Sequence, residues 1–390
     1  MRFIKKAGRF KKAAAVLGAA LIAGALCACG GGGAAGTSSA SGQGAGNGTQ
    51  GQTSAAAVSQ AAGTEEQAAA GAGGKELQVV AAMFPEYDWI RAILGENPGN
   101  VNLTLLMDSG TDLHSFQPTA EDMMRIASCD VFVYTGGPSG RWAKDALETA
   151  VNPDMVVLDL LDALGDRVKE EEIVEGMQHG HDHDHEGEEH EHEGEEHAHE
   201  GEEHEHHHDE AEVDEHVWLS LKNASFLCEK LEEALTKADP ENGALYAANA
   251  EAYRAKLDAL DKEYQAAADG AKIKTLLFGD RFPFRYLTDD YGLSYYAAFS
   301  GCSAETEASF ETVAFLAGQA DEIQVPCVMT IDGSDKRIAE TIVRSTKAQN
   351  QKILTLNSMQ STTEKQVKEG VTYLSVMEQN LAVLKEALGE

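Results

Sequence analysis

Short β-rich runs alternate with helical patterns along most of this chain, in two blocks on either side of one long helical stretch. In the first block Leu77–Ala82, Val101–Met107, Asp130–Tyr134 and Met155–Leu158 read as strands. Between them lie helical patterns at Glu86–Leu94, Ala120–Ser128 (with Thr119 as its cap) and Gly140–Ala150. Helical runs Ser220–Lys237 and Asn242–Ala268 follow. The alternation then resumes through strands at Ile273–Phe278, Leu293–Ala297, Pro326–Ile331 and Lys352–Leu356, and it ends on a helix over Glu364–Leu388. Strand–helix alternation calls for parallel sheets covered by helices. The predicted fold class is therefore α/β, as two parallel-sheet (βα) lobes separated by a long helix. In open sheets of this kind ligands gather beyond the carboxyl ends of the strands, which makes the residues after each strand the places to search.

Not all of the 390 residues belong to that pattern. Met1–Lys12 holds six basic residues and no acid, and Ala13–Leu26 is an apolar run too short to span a bilayer. Leu26-Cys27-Ala28-Cys29 follows, with a small residue before Cys29 and an aliphatic one three positions before it. Residues 1–28 thus read as a lipoprotein signal, with Cys29 as the lipidated residue and an extracytoplasmic, lipid-anchored location at the bacterial cell membrane. Residues 29–74 read as a Gly-, Ala- and Ser-rich tether. The N-terminal lobe is expected over 75–238, interrupted by a polar insertion over 170–215. The inter-lobe helix is expected over 239–270 and the C-terminal lobe over 271–390.

The formal net charge is −34, and residues 170–215 alone carry 22 acids and no base. A balance of that sign excludes general nucleic-acid binding, which needs clustered Lys and Arg, and favours cations. Twelve of the 14 histidines lie in the same insertion: His179, His181, His183, His185, His190, His192, His197, His199, His204, His206, His207 and His208. His-Glu-Gly-Glu-Glu-His recurs there at 185–190, 192–197 and 199–204. With no apolar residue to anchor it, this run is expected to be disordered when metal-free and to bind divalent ions weakly. His204-Glu-His-His-His208 matches HExxH formally but lacks the amphipathic helix a hydrolytic zinc site requires. A zinc-dependent hydrolase is accordingly a remote alternative.

The two remaining histidines stand in distinctive settings. His114 lies in Asp108-Ser-Gly-Thr-Asp-Leu-His-Ser-Phe-Gln-Pro-Thr119, after a predicted strand. His216 lies in Asp214-Glu-His-Val-Trp-Leu-Ser-Leu221, where its apolar neighbours predict burial. Four cysteines remain beyond the signal region; Cys302 and Cys327 are either a disulfide pair or, with Cys129 and Cys228, free thiols.

With these motifs in view, residues 75–390 resemble the zinc/manganese-type metal solute-binding lipoproteins of bacterial ABC uptake transporters. The family carries a histidine in a His-x-x-x-Pro-Thr-like loop, matched by His114 to Thr119, and an Asp-Pro-His-Val-Trp-Leu-Asp-Pro motif. Residues 214–221 match the core of that second motif, with Glu215 and Leu221 for the prolines and Ser220 for the aspartate. The resemblance implies two lobes joined by a long rigid helix and a metal in the inter-lobe cleft, with His114 and His216 as ligands from the N-terminal lobe. At the family's third ligand position stands Arg281, which cannot ligate. Asp280 is the expected substitute, with Glu305 and Glu307 as alternatives. Asp332 is the expected fourth ligand, with Asp335 as alternative. The implied cargo is Zn²⁺, alternatively Mn²⁺, with an ABC permease and its ATPase as partners of a monomeric binding protein. A metal-buffering or adhesive surface lipoprotein is the other reading.

Overall fold

The computed structural model describes residues 76–95, 99–178 and 212–390. The signal, the tether with Cys29, and the histidine run over 179–208 lie outside the described residues. Among the described residues no helix is long and apolar enough to cross a membrane.

Strands β1 (Leu77–Ala81), β2 (Val101–Leu105), β3 (Val131–Tyr134) and β4 (Val156–Asp159) form one parallel sheet, ordered β2-β1-β3-β4. Strands β5 (Thr275–Phe282), β6 (Ser294–Ser300), β7 (Cys327–Ile331) and β8 (Lys352–Leu356) form a second, ordered β6-β5-β7-β8. The near-continuous apolar sequences Leu-Gln-Val-Val-Ala and Val-Phe-Val-Tyr suit β1 and β3 to central positions covered by helices on both faces. Val79 accordingly stands opposite Leu103 on one side and Val131 on the other. Both sheets share one strand order, so each reverses its winding between its first and third strands and opens a crevice at their carboxyl ends.

Helix Gly243–Gly270 has 28 residues and is about 42 Å long at 1.5 Å per residue. It buries a stripe of Tyr246, Tyr253, Leu257, Leu260 and Tyr264. Near one end Asn249 Nδ2 donates to Ile93 O of the first lobe (2.9 Å); near the other Tyr264 Oη donates to Met377 O (2.6 Å). One apolar core runs through the first lobe and along this helix to the inner face of the second sheet. A smaller cluster around Leu277, Phe299 and Leu316 fills the second sheet's outer face. The closing helix, Tyr373–Ala387, reaches back to the first lobe, where Tyr373 N–H donates to Asp88 Oδ2 (2.8 Å) and its ring meets Trp89 edge-on.

Three features differ from the sequence-based expectation, one being the terminal helix, which is not continuous over Glu364–Leu388 but broken into Glu364–Lys368 and Tyr373–Ala387. Residues 170–178 and 212–215 are not part of a structureless insertion. Glu171 N–H donates to Glu212 O (2.7 Å) and Asp214 N–H to Lys169 O (2.8 Å), so the two arms pair. The first arm continues across to the second lobe, where Gln178 N–H donates to Ala298 O (3.0 Å) and Gln178 Oε1 accepts from Ser309 N–H (2.7 Å). Next, β5 does not stop at Phe278 but continues to Phe282 through an irregularity in its pairing with β6, which places Asp280 inside the strand. Of the two readings open for the cysteines, the structure takes the second: Cys302 and Cys327 form no disulfide, and the four described cysteines are all free thiols.

Candidate metal centre

Beyond β2 the chain makes a single 3₁₀ turn, Leu113–Ser115. Asp112 caps it by accepting from the His114 N–H (3.0 Å), and Leu113 is buried beneath it. Thr119 then caps helix Ala120–Ser128 with Asp122 in a reciprocal pair, as the sequence predicts. The His114 loop is therefore held at both ends. Its ring Nδ1 lies 2.8 Å from Ser139 Oγ and 3.4 Å from Glu215 Oε2.

Ser139 belongs to Gly136-Gly137-Pro138-Ser139-Gly140, the turn after β3. Gly137 has φ +70°, and a Cβ there would fall 2.3 Å from Glu215 Oε1. Only glycine lets Glu215 seat against this turn, where it accepts from Ser139 N–H (2.7 Å) and Ser139 Oγ–H (2.5 Å). Burial by itself would raise the Glu215 carboxyl, but the hydrogen bonds from His114 and Ser139 outweigh it and hold the group below the usual carboxylate range.

His216 precedes the 3₁₀ turn Val217–Leu219 and is completely buried. Asp214 Oδ1 accepts both its backbone N–H and its ring Nδ1–H, each at 2.9 Å. Behind it Trp218 Nε1 donates to Ser358 O (2.8 Å) and Trp218 O accepts from Tyr373 Oη–H (2.6 Å), tying the turn to the second lobe. Gly301, just past β6, lies against the imidazole; a Cβ at that position would stand 2.9 Å from His216 Cε1.

The tautomers follow from these partners. A carboxylate only accepts, so His216 Nδ1 carries its proton and Nε2 presents a lone pair. Ser139 spends its hydroxyl proton on Glu215, so it accepts from His114 Nδ1–H, and His114 Nε2 likewise presents a lone pair. The two Nε2 atoms face each other at 3.3 Å. Two lone pairs at that distance repel unless a cation lies between them. Two nitrogens bound about 2.05 Å from one tetrahedral zinc stand about 3.3–3.4 Å apart, the separation found here. Carboxylates behind both imidazoles are the outer partners that orient metal-binding histidines.

A third donor joins the pair from the second lobe. The ligand atoms of His114, His216 and Cys302 all lie within 4.8 Å of one another, the one such group among the described residues. Cys302 follows β6, and its backbone N–H donates to Glu171 Oε1 (2.8 Å). Burial raises its thiol well above the ordinary range, and the negative charges of Glu171, Glu215 and Asp214 raise it further. That same negative field favours a divalent cation.

Asp280 and Asp332 lie outside the group. Asp280 Oδ1 accepts from the neighbouring Arg281 N–H (2.9 Å), and its Oδ2 faces Ile331 N–H of β7 (3.4 Å). Asp332 does follow its strand, but its Oδ1 accepts from Ser358 N–H (2.6 Å) and Ser358 Oγ–H (2.7 Å) and its Oδ2 from Ser361 Oγ–H (3.1 Å), fixing the turn after β8. Glu305 is half-buried with its N–H on Ser303 Oγ; Glu307 is exposed, and Asp335 pairs with Arg337 at the surface. Cys302, Ser139 and the supporting roles of Asp214 and Glu215 escaped the sequence reading. The one available signal for Cys302 was its position directly beyond a strand, beside a glycine.

Two parallel α/β lobes, bridged by one long helix and converging on paired imidazoles, define a two-lobed solute-binding protein. The chain belongs to the family described as zinc-uptake complex component A, periplasmic, whose sequence profile matches residues 79–387. It is 31% identical over 310 residues to the zinc-binding protein AdcA of Streptococcus pyogenes serotype M3, covering 80% of this chain and 56% of that protein. To the high-affinity zinc uptake system protein ZnuA of Bacillus subtilis it is 28% identical over 315 residues, covering 81% and 88% respectively. This chain thus spans little more than half the length of the AdcA relatives. Among solved structures, the Zn(II)-bound ZnuA-like domain of Streptococcus pneumoniae AdcA aligns with TM-score 0.59 at 26% identity, over 81% of this chain and all of that one. A metal-dependent lipoprotein from Bacillus subtilis aligns with TM-score 0.60 at 25% identity, over 80% of this chain and 98% of that one.

Proposed function

We propose that this protein captures Zn²⁺ outside the cytoplasm and delivers it to the permease of an ABC transporter, which its ATPase drives. His114 and His216 are the nitrogen ligands. One observation carries this reading: their Nε2 atoms face each other at 3.3 Å, each ring backed through Nδ1 by a buried acidic partner. The zinc-named relatives favour Zn²⁺ over Mn²⁺ as the cargo. On this reading the lipid on Cys29 anchors a monomeric binding domain, and residues 29–74 let it reach the permease. The histidine run from His179 to His208 is a weak collector that raises the local ion concentration. The oxygen ligands expected at Asp280 and Asp332 enter only if their present hydrogen bonds are exchanged for the metal.

Zinc calorimetry on the whole chain tests the proposal. One tight site and several weak ones are expected. His114→Ala or His216→Ala should remove the tight site and leave the weak ones, while deleting residues 179–208 should do the reverse. A deletion that also removed the tight site would refute the separation of collector and cleft.

A further inference from the structure

Resting on the proposed zinc site, we infer that the Cys302 thiolate is its third ligand and the residue that makes it discriminate against manganese. Arg281 occupies the position where the resemblance places a ligand, and its guanidinium is drawn away to Asp112 Oδ2 (2.8 Å). The acids of the second lobe are engaged elsewhere: Asp280 within β5 and Asp332 on Ser358 and Ser361. Cys302 alone from that lobe joins the histidines, all three donor atoms lying within 4.8 Å of one another. Two independent features hold it there. Gly301 has no side chain, so the backbone closes onto the His216 ring, and Glu171 from the paired arm fixes the Cys302 N–H at 2.8 Å.

On metal entry the S–H bond breaks, a metal–sulfur bond forms, and the proton leaves to solvent. No electron is transferred. Sulfur is a soft donor that suits zinc, whereas manganese prefers carboxylate, carbonyl and water oxygen. A set of two imidazoles and one thiolate therefore separates the two ions more strongly than an all-nitrogen-and-oxygen set.

Cobalt(II) reports the thiolate directly, because sulfur bound to Co²⁺ gives a near-ultraviolet charge-transfer band that nitrogen and oxygen ligands do not. The histidine run contains no cysteine, so Co²⁺ bound there is silent in this band. One equivalent of Co²⁺ added to the whole chain should produce the band, and Cys302→Ser should abolish it while the fold, followed by circular dichroism, is retained. Cys302→Asp should lower the ratio of zinc to manganese affinity by roughly tenfold or more, since it exchanges a soft donor for a hard one. Tight Co²⁺ and Zn²⁺ binding by the wild-type chain with no charge-transfer band would overturn the thiolate ligand and leave the zinc reading standing. An absence of any tight site in the wild-type chain would overturn the zinc reading itself.

Discussion

Arg281 and Asp112 meet across the cleft at 2.8 Å, joining the strand that opens the second sheet to the residue that caps the His114 turn. Burial by itself would raise the Asp112 carboxyl; the guanidinium, with help from the His114 N–H, holds it below the usual range instead. At the position where the resemblance places a ligand, this chain carries a clasp. Arg281→Ala should cost about 1 kcal/mol of stability, the scale of a partly exposed ion pair. It should also speed zinc release, because the His114 loop loses its hold on the opposite lobe. Stopped-flow release with a chromophoric chelator measures this; an unchanged rate would show that the pair plays no part in retention.

Glu215 supports His114 both directly and through Ser139. Glu215→Gln keeps the shape but removes the charge that orients and strengthens the imidazole as a donor. Zinc affinity should fall about 10- to 100-fold, the usual effect of losing an outer carboxylate partner. Calorimetry on the variant reads this directly, with melting temperature as the control for folding.

Gly301→Ala would place a methyl group 2.9 Å from His216 Cε1 and 3.1 Å from its Nδ1. The ring is fully buried and cannot swing aside. Its displacement would break the Asp214 bond and misalign Nε2. An affinity loss of at least roughly tenfold is expected, because a few tenths of an ångström matter in a close-packed site. Alanine binding zinc as tightly as glycine would mean the ring has room that the structure denies it.

Glu86, in the first turn of the helix Phe84–Leu94 that follows β1, is buried and accepts from Ala82 and Met83 N–H and from Thr135 Oγ–H. Desolvation by burial pushes its carboxyl up to about 8, against the pull of those hydrogen bonds. The folded value lies above the unfolded one, so the protonated group's contribution is complete below the ordinary carboxyl value of 4.5 and is lost as pH rises through about 8. Glu86→Gln, which stays neutral, should melt close to wild type at pH 4 and several degrees higher at pH 8.5. Parallel melting curves at the two pH values check the sign.

Much of this was legible along the chain. Alternating strands and helices, with one helix too long to belong to either sheet, were enough for two parallel lobes and a bridge, because helix and strand periodicities are local properties. His114 and His216 were legible too, since each stands in a short motif: a turn after a strand, and a polar residue in an apolar run. The acids proved harder to read. Asp280 drew notice because β5 was expected to end at Phe278, and the strand runs on because residues 281–282 still find pairing partners in β6. Asp332 stands where expected, yet its oxygens are taken by serines 26 and 29 residues downstream.

Local pattern, then, determined the architecture and the two imidazoles, because both are set by neighbours a few residues apart. Which groups gather around those imidazoles was decided only when distant segments met: Ser139 with Glu215, Glu171 with Cys302, and Gly301 with His216. Those encounters depend on how two sheets and a paired arm pack in three dimensions, and no spacing along the chain encodes them.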